Sequence, residues 1–153
     1  MKRRLARELA LQSLYQMEMN EVGARAAIAI TIEEAQHDNE AGLEVAGSTI
    51  SEQYVQELVE GVMVRKADID DTLAQYLKGW KMDRLSRVDR QVLRLAAYEL
   101  IYREDVPPKV VVNEAIELSK HFGTEESGKF VNGVLGKMLK ELDQIKEKTQ
   151  GGV

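Results

Sequence analysis

Apolar residues recur every three or four positions through most of the chain, which is the period of an amphipathic helix and not the alternation of a strand. Over residues 3–19, Ala6, Leu9, Ala10, Ser13 and Met17 form one stripe that should be buried. Arg3, Arg4, Arg7, Leu11 and Tyr15 fall on a different, roughly opposed face. A second helix is expected over 22–36, and residues 37–48 (HDNEAGLEVAGS) read as a loop with Gly42 and Gly47 as breakers. Ser51 is the expected N-cap of a third helix, with Tyr54, Val55, Leu58 and Val62 turned inward. Asp68 is the expected cap of a fourth, in which Ile69, Leu73, Tyr76, Leu77 and Trp80 repeat at three and four.

Gly79 and residues 82–85 make a joint, after which Ser86 and Asp89 resemble a capping box with a shortened acid. The helix expected from there to Tyr102 is apolar nearly all round, so it should be central. Its Glu99 lies among Val88, Val92 and Leu95, where a carboxylate needs a partner, and a structural role is expected for it. Pro108 suits the first position of the next helix, over 108–122, and Gly123 its C-cap. Thr124 should cap the last helix, whose stripe is Val131, Val134, Leu135, Met138, Leu142 and Ile145, with the tail from Lys146 frayed. The pattern gives an all-α chain of about seven helices with no sheet.

Composition agrees and removes several chemistries. The hydrophobic fraction of 44 % suits one globular domain, and only two prolines interrupt the chain. There is no cysteine, so disulfides, thiolate metal sites and thiol nucleophiles are excluded. His37 and His121 are isolated, and no glycine-rich phosphate loop is present; no catalytic residue, metal site or cofactor is expected. No apolar run approaches the ~20 residues of a membrane span. Arg7, Glu8 and Gln12 interrupt any signal-peptide core, so a cytoplasmic protein is the simplest reading. The net charge is −5, but it is polarised. Lys2, Arg3, Arg4 and Arg7 crowd the first turns, whereas residues 26–64 hold eight acids and no Lys or Arg. Such a molecule can bind a polyanion at one end only.

Three stretches within residues 85–138 carry a family resemblance: VDRxxLRLAxYEL, DVPxxVxxNEAIEL and KFVNGVL. Together with the N-terminal RRLARELALQSLYQ, they are similar to the NusB-type transcription antitermination factors. The resemblance implies two small helical bundles packed together, here a single domain over 1–153 with subdomains near 1–80 and 81–148 and a frayed 149–153. It implies no cofactor and no enzymatic activity. It also implies binding of boxA-type single-stranded leader RNA together with NusE, a small-subunit ribosomal protein, so that RNA polymerase reads through termination signals in ribosomal RNA operons. Carried over position by position, the RNA-binding residues are Lys2, Arg3, Arg4, Arg7, Tyr15, Phe122, Glu126, Lys129 and Phe130, and the NusE-facing residues are Asp83 and Asp89. The chain departs from the family in having Leu5 where an arginine is frequent and Glu126 where an aspartate is common.

The physical terms are modest. Four phosphates neutralised by the N-terminal cations would give a salt slope of about −2.8 on a single strand. Stacking on an aromatic ring adds roughly 1–3 kcal/mol per base. On a body of net charge −5, these terms imply that a basic partner supplies part of the affinity. Phe130 lies on the flank of its helix's apolar stripe, so core packing and base stacking are both open to it. Alternatives are a helical protein–protein adaptor working through the acidic stretch at 33–60, and an RNA-binding accessory acting in trans on an RNA methyltransferase. The resemblance also implies self-association as an alternative, since some members of the family form homodimers that hide the RNA surface.

Overall fold

Helices form where the apolar period is strongest. In the structure, a computed structural model, residues 2–38, 49–79 and 81–150 are described, with the side chains of 2, 3, 36–38, 49–51 and 150 excepted. These residues contain eight α-helices, one short 3-10 turn and no strand. The helices are α1 (Lys2–Asn20), α2 (Ala24–Asp38), α3 (Thr49–Val64), α4 (Lys66–Ala74), α5 (Arg87–Tyr102), α6 (Pro108–Phe122), α7 (Glu125–Lys140) and α8 (Leu142–Gln150), with the 3-10 turn at Met82–Arg84. Helix α2 runs on through 37 and 38; the remainder of the expected loop, 39–48, lies outside the described residues, as do Trp80 and 151–153.

The chain divides into two compact units, Met1–Met63 and Val64–Val153. A division near residue 80 would leave α4 with the first unit, but α4 packs on α5 and belongs to the second. The link is specific: Arg94 of α5 donates from Nε and a terminal nitrogen to both carboxylate oxygens of Asp70, at 2.8 and 2.9 Å. Such a bidentate pair fixes angle as well as distance.

In the first unit, α1 packs against α2. Ala6, Leu9, Ala10, Leu11 and Leu14 of α1 are buried, as are Ala27 and Ile28 of α2. Val55, Leu58, Val59 and Val62 make the buried face of α3. Ser13 is buried without penalty, because its hydroxyl donates to the Leu9 carbonyl at 2.8 Å.

In the second unit, α5 is central and packs on α4, α6, α7 and α8. Its all-round apolar sequence is the reason, and residues 91–97 are buried without a gap. Glu99 is only 2 % exposed and is not without a partner, as burial of a carboxylate requires. The helix ends follow local chemistry. The Asp89 N–H donates to Ser86 Oγ at 3.1 Å, and the Ser127 N–H to Thr124 Oγ1 at 3.1 Å. Pro108 opens α6. Ser51 and Asp68 are not caps; they lie inside the first turns of α3 and α4.

The expected last helix is two helices. The chain breaks at Glu141, whose N–H turns back to the Met138 carbonyl at 3.1 Å, and α8 then runs to Gln150 where fraying was expected from Lys146. Met138, Leu142 and Ile145 keep their three-and-four spacing across the break and are all buried, so the apolar period carries no sign of it. Tyr76 meets the break, its hydroxyl donating to Glu141 Oε1 at 2.8 Å. Burial, the bond to Glu141 and the Glu141 charge together push the Tyr76 hydroxyl up to about 12.

Candidate nucleic-acid interface

The candidate residues fall into one group on α1, a second around the α6–α7 junction, and a pair before and within α5. Helix α1 begins at Lys2, so Lys2, Arg3 and Arg4 occupy its first turn, with no acid among them. The N-terminal end of a helix carries partial positive charge from its unpaired N–H groups. Three cations there oppose the dipole, so folding gains nothing from them. The same end favours a bound anion.

Arg4 is exposed, and Tyr15 is half-buried three turns along. Arg7 departs from expectation. It is 3 % exposed and already has a partner within the chain. The reason is that α1 is covered on more sides than its single stripe implied. Leu11, one turn beyond Arg7 on the same face, and Leu14 are buried together with the predicted stripe. Met17, expected in that stripe, is only half-buried. Arg7 is therefore buried and does not share the exposure of Arg4.

The second group is built by a tight joint. Helix α6 ends at Phe122, Gly123 follows, and Thr124 caps α7. Gly123 holds no left-handed conformation; it is required by space. A Cβ there would stand 2.8 Å from the Ser119 carbonyl oxygen and 2.7 Å from Ser127 Oγ. The absence of that carbon lets α7 start directly off the end of α6. Phe122 is half-buried, with His121 edge-on to its ring at 4.6 Å between centroids. Glu126, Lys129 and Phe130 follow on one face of α7 at helical spacing. Glu126 and Lys129 are exposed and paired loosely at 3.5 Å; Phe130 is half-buried. Of the residues singled out from sequence, the joint thus presents two partly open phenyl rings, one ammonium and one carboxylate.

Two residues of this region were not among those singled out from sequence. Lys120 lays its stem over Gly128, where a Cβ would stand 3.0 Å from Lys120 Cγ. His121 braces Phe122. Neither has a sequence signal beyond proximity to the Gly123 cap.

Asp83 is exposed in the 3-10 turn. Asp89 is half-buried in the first turn of α5, and its Oδ1 is buried with no hydrogen-bond partner among the described residues. An acceptor in that state costs about 1–3 kcal/mol.

Among the described residues no group of three or more His, Asp or Glu side chains is placed to hold a metal ion, and no helix is long and apolar enough to cross a membrane. Fold and surface together define a helical protein whose distinctive features are a cationic helix end and an aromatic, cation-bearing joint. Known proteins place it further. The sequence model of the NusB family matches residues 4–140. The transcription antitermination protein NusB of Bacillus pumilus is 42 % identical over 144 residues, covering 94 % of this chain and 99 % of that protein. The protein of the same description from Listeria welshimeri is 45 % identical over 141 residues, covering 92 % and 98 %. A crystal structure of antitermination factors NusB and NusE in complex with dsRNA contains a chain that superposes with a TM-score of 0.77 at 28 % identity, covering 91 % of this chain and 96 % of that one. The chain belongs to the NusB family.

Proposed function

We propose that this protein is a cytoplasmic, non-enzymatic antitermination factor that binds boxA-type leader RNA jointly with NusE and promotes read-through by RNA polymerase in ribosomal RNA operons. The observation that carries the reading is the joint between α6 and α7. Its half-buried Phe122 and Phe130 offer ring faces for bases, Lys129 offers a cation for phosphate, and Glu126 an acceptor for base amines. Lys2, Arg3 and Arg4 add phosphate contacts at the start of α1. With Arg7 committed to the interior, three cations remain there, and the salt slope they supply is about −2.1. That is small for a chain of net charge −5, so the partner's positive charge has to contribute. Asp83 and Asp89 are the residues we assign to NusE; they stand just before and at the start of the central helix α5, and Asp83 is exposed.

RNA affinity measured with and without NusE tests this, using a boxA-type single strand, a scrambled single strand and a boxA duplex. The expected order is boxA single strand above scrambled strand and duplex, because stacking on Phe122 and Phe130 needs unstacked bases. NusE should tighten the first complex at least tenfold. Equal affinity for boxA and scrambled strands, or no gain from NusE, would overturn the reading.

A further inference from the structure

Helix α7 carries more than the residues at its start. At 100° per residue, Glu126, Lys129, Phe130, Gly133, Lys137 and Lys140 all fall within a sector of about 100°, away from the buried stripe of Val131, Val134, Leu135 and Met138. Gly133 lies in the middle of this face and Gly136 at its margin; a Cβ at either would meet nothing within 4 Å. The face is thus continuous, with bare backbone at its centre and lysines at its far end. From Lys129 to Lys140 it runs about 16 Å at 1.5 Å per residue.

The far end is reinforced from another part of the unit. Lys78 follows α4 in a left-handed conformation, φ 49°, and Gly79 continues it at φ 89°. A lysine rarely adopts this conformation. The turn brings the Lys78 side chain close to that of Lys137. The close approach of Lys78, desolvation, and the charge of Lys140 hold the Lys137 ammonium below its ordinary range. Among the described residues no ion pair engages Lys78, Lys137 or Lys140. Among the described residues these ammonium groups are thus gathered outside any ion pair, and each is a donor only.

We infer that the exposed face of α7 is a track for single-stranded RNA, and that Lys78, Lys137 and Lys140 grip its phosphates beyond the bases held at Phe122 and Phe130. This rests on the RNA-binding reading above and adds to it a second, sequence-independent contact. A phosphodiester supplies negative charge and offers only acceptors to these donors. The bare stretch at Gly133 and Gly136 lets a backbone pass close to the helix between the two grips.

The test compares Lys78→Gln/Lys137→Gln/Lys140→Gln with the wild-type chain on boxA-type single strands of about six and about twelve nucleotides, within the usual range of single-strand sites. A control variant, Lys66→Gln/Lys109→Gln/Lys148→Gln, removes the same charge elsewhere on the second unit. On the long strand the cluster variant should lose affinity at least tenfold, and its salt slope should fall by about 2, at about 0.7 per lysine. On the short strand it should match the wild type, and the control should match the wild type on both. Equal binding of wild type and cluster variant on the long strand, or an equal loss in the control, overturns the inference while leaving the RNA-binding reading intact. So does a cluster variant that loses NusE but keeps RNA, which would assign the lysines to an acidic protein surface. Failure of the wild type to bind either strand overturns both.

Discussion

Helices α1 and α7 both carry clustered cations, but at opposite ends. In α7 the acids Glu125 and Glu126 open the helix, and Lys137 and Lys140 close it. That arrangement complements the helix dipole at both ends, with each charge worth about 0.3–1 kcal/mol where salt is low. In α1 the first turn holds Lys2, Arg3 and Arg4 with no acid, and the last turn holds no base. Here the charges oppose the dipole. The difference teaches how far charge alone can be read as function. The lysines of α7 have a folding explanation, so their assignment to RNA needs the convergence with Lys78. The cations of α1 have none, so their position is itself informative.

The largest expected effect separates buried from exposed cations in the two helices. Arg7→Met should lower stability by about 2 kcal/mol, the scale on which loss of a buried, partnered charged group is felt. Lys129→Met should change stability by less than about 0.5 kcal/mol, since its pair with Glu126 is 75 % and 83 % exposed. Urea unfolding reads both. On RNA the order reverses: Lys129→Met should flatten the salt slope by about 0.7, and Arg7→Met should leave the slope of the folded protein unchanged. An Arg7→Met protein of full stability with a flattened slope would return Arg7 to the RNA surface.

The two helices also differ in how much of them could be read in advance. The start of α7 was legible because its determinants are local. Thr124 caps within three residues, Gly123 precedes it, and Pro108 opens α6 by its own fixed φ. Phe122, Glu126, Lys129 and Phe130 then gather because a helix repeats every three to four residues. The interior role of Arg7 was not legible. It depends on how many sides of α1 are covered, and Leu11 reads equally well as a lone surface leucine or as part of a wider buried band. The break at Glu141 was hidden for a different reason, since the apolar spacing runs through it unchanged. The meeting of Lys78 with Lys137 joins residues far apart in sequence through a turn that no local pattern announces.

A middle-sized effect concerns the aromatic of α7. Phe130→Leu keeps an apolar side chain on the flank of the stripe and removes the ring. Unfolding should be unchanged within about 1 kcal/mol, as for conservative apolar exchanges. Affinity for a boxA-type single strand should fall about tenfold, equivalent to ~1.4 kcal/mol and at the lower end of the range for one stacked base. If stability dropped and the folded fraction bound RNA as before, Phe130 would be a core residue and the stacking at this joint would belong to Phe122 alone.

The smallest effect bears most directly on the contrast of helix ends. Lys2→Gln/Arg3→Gln removes two charges that oppose the α1 dipole, so the first unit should gain about 0.5 kcal/mol at low salt. Lys140→Gln removes a charge that complements the α7 dipole, so the second unit should lose about 0.3 kcal/mol. Both changes should vanish near 1 M salt, where screening acts within a few ångströms. Both variants should bind RNA more weakly. A variant that becomes more stable as it loses its ligand is the signature of charge held in place for binding; a loss of stability in Lys2→Gln/Arg3→Gln would mean that the first turn of α1 serves the fold, and the two helices would no longer differ in kind.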